Sequence, residues 1–235
     1  MREPRPLPME SIRAVLFDLD GTLIESDDRW VEKIAARLAF VRRLHRGIDP
    51  AAVARWMVMT GETPSNYLLS ALEHLGLKTS LFGLTDRLRT ARGLATKGES
   101  ATVTGTETLL QALEGRYRLA VVTTRARPEA IAFLEHSGLS HYFQAVVTRQ
   151  DVLRMKPHPE PVRTAAKLLG VPAEACLMIG DTINDILAAR RADAYVIGVL
   201  SGFGERRELE RAGADVILDR AADMLSQTFW LESDG

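Results

Sequence analysis

Two carboxylates stand two residues apart in Asp18-Leu19-Asp20-Gly21-Thr22, directly after the apolar run at residues 14–17. A short apolar run predicts a buried strand of a parallel sheet. Ligands bind such sheets at the carboxyl ends of the strands, so these acids are expected at the edge of a site. Carboxylates this close repel each other, which points to a cation or to phosphate chemistry. A calcium loop also carries Asp-x-Asp, but no Glu in the closing position supports that alternative.

Three further motifs carry polar groups that could join this site. Thr123 closes the apolar run at 119–123, and Asp181 and Asp185 lie in Gly180-Asp181-Thr182-Ile183-Asn184-Asp185, after the run at 176–179. Lys156 lies in the loop Met155-Lys156-Pro157-His158-Pro159, which opens a predicted helix. If the sheet is parallel, all of these groups face one crevice.

These residue types suit phosphoryl transfer. A carboxylate can attack phosphorus and form an aspartyl-phosphate, which divides one difficult step into two. Mg²⁺ binds one or two carboxylates together with waters and phosphate oxygens, and Asp18 and Asp181 can supply those carboxylates. Lys156 adds a positive charge and Thr123 a hydroxyl donor for the phosphoryl oxygens. Asp20 is placed to give a proton to the leaving group and later to take one from water.

The elements that must position these groups alternate between strands and helices. Such alternation, with short and wholly apolar strands, predicts an α/β fold with a doubly wound, Rossmann-like parallel sheet. The predicted strands are residues 14–17, 119–123, 145–147, 176–179, 194–199 and 215–218. The predicted helices are residues 127–137, 160–169, 184–191 and 205–211.

One segment interrupts the alternation between the first two strands. Residues 26–97 show apolar positions at helical spacing and no convincing strand, which predicts an inserted all-helical cap domain. The α/β core domain is then expected at residues 12–25 and 98–235. Residues 1–11 are expected to form a flexible N-terminal extension, because their prolines remove donors and block a helix.

Composition narrows the partners. The 235 residues include 30 basic and 31 acidic side chains, so no basic excess favours nucleic acid as a main partner. No window reaches the roughly 20 apolar residues of a membrane span, and no signal peptide is visible, so the expected location is cytoplasmic. The single cysteine, Cys176, allows no disulfide within the chain and is expected as a small buried apolar residue.

The four motifs, in this order, resemble the haloacid dehalogenase superfamily. The helical insertion after the first motif is similar to the helical-cap (C1) branch, which includes phosphoglycolate phosphatase. The resemblance covers roughly residues 12–220. It implies a Mg²⁺-dependent phosphatase that hydrolyses a small phosphorylated metabolite through an aspartyl-phosphate.

The resemblance also assigns roles to the catalytic residues. It implies that Asp18 is the nucleophile and a magnesium ligand. Asp20 would be the general acid and base, and its backbone carbonyl would reach the metal. Thr123 and Lys156 would bind the transferring phosphoryl group.

For the metal, the resemblance implies that Asp181 is a direct ligand. Asp185 would stand in the second shell, holding a metal-bound water or Lys156. Possible substrate contacts near the phosphate site are Gly21, Thr22, Thr124 and Arg125. Possible contacts in the cap are Arg55, Gly61, Glu62 and Asn66.

Other functions remain open on the sequence. Dehalogenases and phosphonate-cleaving members of the superfamily lack the acid at the position of Asp20, which argues against both activities. A sugar phosphomutase of the same branch usually has a His near the position of Trp30, which weakens that alternative. A non-enzymatic phospho-accepting receiver domain uses similar residues, but it places its acids in a different order and lacks a helical insertion.

Overall fold

The computed structural model describes residues 5–25 and 101–227. The chain divides into two compact units, one formed by Met1–Glu25 with Ala101–Gly235 and the other by Ser26–Ser100. The second unit spans nearly the same residues as the predicted cap, whose helices lie outside the described residues. The fold below is that of the first unit.

The first unit is built on a six-stranded sheet in which every neighbouring pair is parallel. Its strands in chain order are β1 (Ala14–Phe17), β2 (Arg118–Val122), β3 (Ala145–Val147), β4 (Cys176–Gly180), β5 (Tyr195–Val199) and β6 (Val216–Leu218). The spatial order is β3-β2-β1-β4-β5-β6. This arrangement confirms the predicted doubly wound α/β class. The strand order reverses between β1 and β4, and the crevice at such a switch point is where these folds bind ligands.

Five α-helices connect the strands within the described residues. They are α1 (Thr106–Leu113), α2 (Arg127–His136), α3 (Glu160–Leu169), α4 (Ile183–Arg191) and α5 (Arg206–Ala212). Short 3₁₀ turns occupy Ser140–Tyr142, Ala173–Ala175 and Ala221–Ser226. Helix α1 is not among the helices predicted from the sequence, although three of its leucines are buried at helical spacing. A search of the described residues for a helix that is both long and apolar enough to cross a bilayer finds none.

Two hydrophobic clusters divide the strand side chains by the two-residue period of a β-strand. In β1, Val15 and Phe17 belong to one cluster, and Ala14 and Leu16 to the other. Helices α1 and α2 contribute to the first cluster, and α3, α4 and α5 to the second. Cys176 is buried in the second cluster as predicted, and burial raises the pKa of its thiol to about 12. The sheet is therefore covered on both faces, which leaves the ends of its strands for polar groups.

The structure corrects the expectation of a flexible extension for residues 5–11. Leu7 and Met9 are buried in the first cluster. Arg5 donates to the backbone oxygen of Ala194 at 2.6 Å and pairs with the buried Asp215 at 3.1 Å. The prolines block a helix here, but an extended segment can still pack its apolar side chains onto a core.

The chain segments of the first unit that come directly before and after residues 26–100 lie side by side. The backbone N–H of Glu25 donates to the oxygen of Ala101, and that of Val103 donates to the oxygen of Leu23, both at 3.0 Å. These bonds pair residues 23–25 with residues 101–103. The turn that follows β1 is therefore fixed at both ends, by β1 itself and by this pairing.

Candidate active site

Asp18 lies directly after β1 and is buried. Its backbone N–H donates to the oxygen of Ile179 in β4 at 2.9 Å, which continues the sheet pairing by one residue. Lys156, from the loop before α3, donates to Asp18 Oδ1 at 2.7 Å, to Asp185 Oδ1 at 2.6 Å and to the oxygen of Val122 at 3.0 Å. These three acceptors use all three ammonium protons. The ammonium is thereby fixed beside the predicted nucleophile.

Asp185 is held in place by the start of α4. Thr182 is the N-cap of that helix, and Asp185 Oδ2 accepts from the Thr182 N–H at 3.0 Å and from its hydroxyl at 2.5 Å. The backbone N–H of Asp185 returns a bond to Thr182 Oγ1 at 3.4 Å, which completes a capping box. The same carboxylate therefore fixes the helix start with one oxygen and Lys156 with the other.

Asp181 follows β4 and is fully buried. Its Oδ2 accepts from the backbone N–H of Phe203 at 2.7 Å, in the loop after β5. Its Oδ1 makes no hydrogen bond within the described residues. Two glycines make this packing possible, because a Cβ on Gly202 would lie 1.9 Å from Asp181 Oδ2 and one on Gly21 would lie 2.4 Å away. The loop at 200–204 thus encloses the carboxylate without satisfying it.

Like charges meet at this point. Asp18, Asp181 and Asp185 each offer a carboxylate oxygen, and these oxygens all lie within 4.8 Å of one another. Burial raises the pKa of Asp18 from 3.8 to about 7, although Lys156 opposes the shift. Burial, together with Asp18 and Asp185, raises the pKa of Asp181 well above its usual value.

The acidic cluster fits a divalent cation. A buried carboxylate oxygen without a partner is costly unless a positive charge compensates it. Both oxygens of Asp185 are already engaged, by Thr182 and by Lys156. Asp18 and Asp181 are therefore the members of the cluster best placed to hold a metal, and their hard oxygen atoms suit Mg²⁺.

Asp20 lies two residues after Asp18, and its side chain is 39% exposed. Arg125 holds it with two bonds, from Nη2 to Oδ1 at 2.5 Å and from Nε to Oδ2 at 2.8 Å. The backbone N–H of Arg125 donates to Thr123 Oγ1 at 3.1 Å. Thr123 itself is buried after β2, and its N–H bonds the oxygen of Val147 at 2.9 Å. The predicted acid–base residue and the predicted phosphate-binding hydroxyl are thus linked through one arginine.

The remaining predicted contacts fall into two groups. Gly21 adopts a left-handed backbone with φ of 74°, and its oxygen accepts from the Ser201 hydroxyl at 2.6 Å. Thr22 is buried in the same turn, and Thr124 is partly buried after Thr123. Four predicted contacts lie outside the described residues: Arg55, Gly61, Glu62 and Asn66.

Two features of the site were not predicted from the sequence. The loop at 200–204 contacts Asp181, and Arg125 contacts Asp20 rather than only facing a substrate. A signal for the loop exists, since Gly202-Phe203-Gly204 follows an apolar strand at the same sheet edge as the motifs. No comparable signal exists for the contact between Arg125 and Asp20, because the sequence places Arg125 beside the phosphate site without indicating which group it bonds.

Comparison with known proteins identifies the class to which this fold and site belong. The profile of the family described as haloacid dehalogenase-like hydrolase matches residues 15–199. The chain therefore belongs to this family and is an enzyme of the hydrolase class.

Individual relatives match over nearly the whole chain. A phosphoglycolate phosphatase of Pectobacterium atrosepticum is 30% identical, with 92% of each chain covered. The pyrophosphatase PpaX of Bacillus cereus is 31% identical over 91% of this chain and 95% of its own. The crystal structure of a HAD family hydrolase from Deinococcus radiodurans R1, with bound phosphate and sodium, is 27% identical with a TM-score of 0.65, covering 92% of this chain and 93% of that chain.

Replacing Gly202 by Ala is expected to weaken metal binding at least about tenfold. The new methyl group would stand 1.9 Å from Asp181 Oδ2, so either the loop or the carboxylate must move. Overpacking of this kind costs roughly 1–3 kcal/mol of stability as well. Calorimetric titration with Mg²⁺ measures the affinity directly.

The matched control is Gly138→Ala. Gly138 has a φ of 72°, so alanine is strained there, yet a Cβ meets no atom within 4 Å. This variant should lose some stability and keep its metal affinity. Equal affinity in the two alanine variants would contradict the role assigned to Gly202.

Proposed function

We propose that the protein is a Mg²⁺-dependent phosphatase that hydrolyses a small phosphorylated metabolite through an aspartyl-phosphate on Asp18. The observation that carries this proposal is the position of Asp18, buried between the Lys156 ammonium and the unsatisfied Asp181 carboxylate. The relatives named phosphoglycolate phosphatase and pyrophosphatase support the reaction class, and the related structure with bound phosphate supports the ligand.

In the first step, a carboxylate oxygen of Asp18 attacks phosphorus while the bond from phosphorus to the leaving oxygen breaks. Lys156 holds Asp18 in place and balances negative charge, and Thr123 offers its hydroxyl to a phosphoryl oxygen. Asp20 gives its proton to the leaving oxygen, which receives the electron pair of the broken bond.

In the second step, water attacks the phosphorus of the aspartyl-phosphate. Asp20 takes the proton from that water, so the residue returns to its starting form. The bond between phosphorus and Asp18 breaks, and its electron pair restores the carboxylate. Inorganic phosphate leaves with no net change in the enzyme.

The metal would be held by Asp18, Asp181 and the backbone carbonyl of Asp20. When bound, Mg²⁺ neutralises phosphate charge so that an anionic carboxylate can approach an anionic substrate. The Lys156 ammonium also balances part of this negative charge. The glycines at 21 and 202 let the backbone pack against Asp181 Oδ2, which leaves Oδ1 as the oxygen without a partner among the described residues.

The test is phosphate release from phosphoglycolate, pyrophosphate and p-nitrophenyl phosphate, with Mg²⁺ and with a chelator. Asp18→Asn is expected to lower turnover at least about 10³-fold on every substrate, because the amide cannot act as nucleophile. The matched control is Asp219→Asn, since that side chain is 81% exposed, and it should keep wild-type rates. Undiminished release by Asp18→Asn would refute the proposal, and sugar-phosphate interconversion without net phosphate release would favour a phosphomutase.

A further inference from the structure

We propose that Arg125 is a positioning residue that orients Asp20 for proton transfer to the leaving group and from the attacking water. The inference rests on the proposed function, because it concerns the acid–base step of the same site. It adds Arg125, which follows β2, to the residues that take part in the reaction. It also predicts how the rate of catalysis depends on the leaving group.

The contact between Arg125 and Asp20 is a two-point fork. Nη2 and Nε approach different oxygens of the carboxylate, at 2.5 and 2.8 Å, and the arginine side chain is only 14% exposed. Two parallel bonds fix the plane of a carboxylate as well as its position. A single ammonium cannot do this, so lysine is not an equivalent replacement.

The base of the fork is itself anchored. The Arg125 N–H bonds Thr123 Oγ1 at 3.1 Å, and its carbonyl accepts from the Arg149 N–H at 3.3 Å. These bonds tie Arg125 to the ends of β2 and β3. Asp20, by contrast, stands on the turn after β1 with an exposed side chain, and among the described residues only Arg125 bonds its carboxylate. Two strand ends therefore fix the position of Arg125, and Arg125 in turn fixes the position of the Asp20 carboxylate.

Proton transfer changes the strength of one of the two contacts. When Asp20 is protonated, the oxygen that carries the proton becomes a donor and a poorer acceptor, so its bond from Arg125 weakens. The other oxygen keeps its bond, so the stronger contact aims the O–H at the leaving oxygen. After the proton has gone to that oxygen, both carboxylate oxygens accept fully from Arg125 again. The fork thus holds the base form through two strong bonds and the acid form through one strong and one weaker bond.

During formation of the aspartyl-phosphate, this arrangement matters only for leaving groups that need a proton, whereas the later attack of water needs Asp20 whatever group has left. An alkyl alcohol leaves as an unstable alkoxide unless it is protonated, whereas p-nitrophenol leaves as a stable anion. General acid catalysis contributes about 10²–10⁴-fold where it is needed. Misorienting the acid should remove part of this factor for alkyl phosphates and almost none of it for p-nitrophenyl phosphate.

The experiment compares Arg125→Lys and Arg125→Gln with wild type on an alkyl phosphate and on p-nitrophenyl phosphate. We compare kcat/KM, which covers only the steps up to loss of the leaving group, and expect it to fall about 10–100-fold on the alkyl ester and less than about threefold on the aryl ester. Asp20→Asn should show the same selectivity, and adding Arg125→Gln to it should change little further. Arg127→Lys is the control, since Arg127 pairs with Asp151 and does not contact the site acids.

Two results would overturn the inference. An equal fall in kcat/KM on both esters would show that Arg125 serves the fold or binds the substrate rather than positioning the acid. Thermal unfolding of the single and double variants gives a readout independent of turnover, because coupled residues give non-additive shifts in Tm. Additive shifts would also overturn the inference. A wild type that hydrolyses none of the esters would refute the proposed function, and the thermal cycle would still decide whether Arg125 holds Asp20.

Discussion

Replacing Lys156 by Met is expected to lower the unfolding temperature by about 6–20 °C and to abolish turnover. The ammonium is buried and bonds Asp18 and Asp185 at 2.7 and 2.6 Å. Burial alone would lower the pKa of Lys156, but these two carboxylates outweigh it and raise the pKa, so the lysine is charged. Removing it leaves two carboxylates buried without compensation, and breaking a buried ion pair costs roughly 3–5 kcal/mol.

Thermal unfolding in a chelator measures the effect without interference from bound metal. Lys167→Met is the matched control, because Lys167 is an exposed residue of α3 and surface changes stay within about 0.5 kcal/mol. Adding Asp185→Asn to Lys156→Met should recover part of the lost stability, since it removes one of the two uncompensated charges. A Lys156→Met protein as stable as the control would mean that the ammonium does not balance the acids.

Much of the parallel sheet beside Lys156 could be predicted from the sequence. The runs at 14–17 and 176–179 are apolar throughout, because strands buried on both faces need no polar side. Each is followed at once by acids, and a parallel sheet brings its carboxyl ends to one edge. That is why Asp18 and Asp181 could be placed in one cluster before any coordinates were known.

Elements of weaker pattern were missed or misjudged. Helix α1 has only eight residues and follows a junction rich in Gly, Ser and Thr, which obscured its start. The prolines of the N-terminal segment predict a loose extension, yet Arg5 bonds the buried Asp215, which lies 210 positions further along the sequence. Contacts of that separation depend on the completed fold and leave no local pattern.

The partners within the site were equally beyond local pattern. The resemblance implied a metal-bound water or Lys156 as the partner of Asp185, and the structure shows the bond to Lys156. The bonds of Lys156 to Asp18 and of Arg125 to Asp20 were not predicted, because both cations were assigned to the substrate. The contact of the 200–204 loop with Asp181 likewise depends on where the chain turns after β5. Residue types predict which chemistry is available, and tertiary geometry decides which group each side chain serves.

Replacing Asp181 by Asn is expected to stabilise the metal-free protein by about 1–3 kcal/mol, or about 3–9 °C in unfolding temperature. Asp181 is fully buried, and its Oδ1 has no hydrogen-bond partner among the described residues. An amide oxygen can still accept from the Phe203 N–H, and the amide nitrogen can donate to a neighbouring carboxylate. The substitution removes a repelling charge while keeping the packing.

The pH dependence of stability tests independently whether the charge on Asp181 destabilises the metal-free protein. Burial raises the pKa of Asp18 to about 7 and that of Asp181 well above 3.8, so the folded protein binds more protons than the unfolded chain above pH 4. Stability of the metal-free wild type should therefore fall as pH rises from about 4 through about 7. Asp181→Asn removes one of these groups, so its stability should fall less over the same range. Saturating Mg²⁺ should reverse the fall in wild type and have little effect on the variant.

The matched control is the same substitution at an acid whose charge is compensated. Asp215 is also buried, but it bonds Arg5, Arg190 and the Val196 N–H, so Asp215→Asn should destabilise the protein. Asp181→Asn should abolish Mg²⁺ binding and phosphate release while raising the unfolding temperature. That opposition follows if the site keeps an uncompensated carboxylate for the metal at the expense of stability. A variant less stable than wild type in chelator would mean that Asp181 contributes to the fold rather than to a metal site.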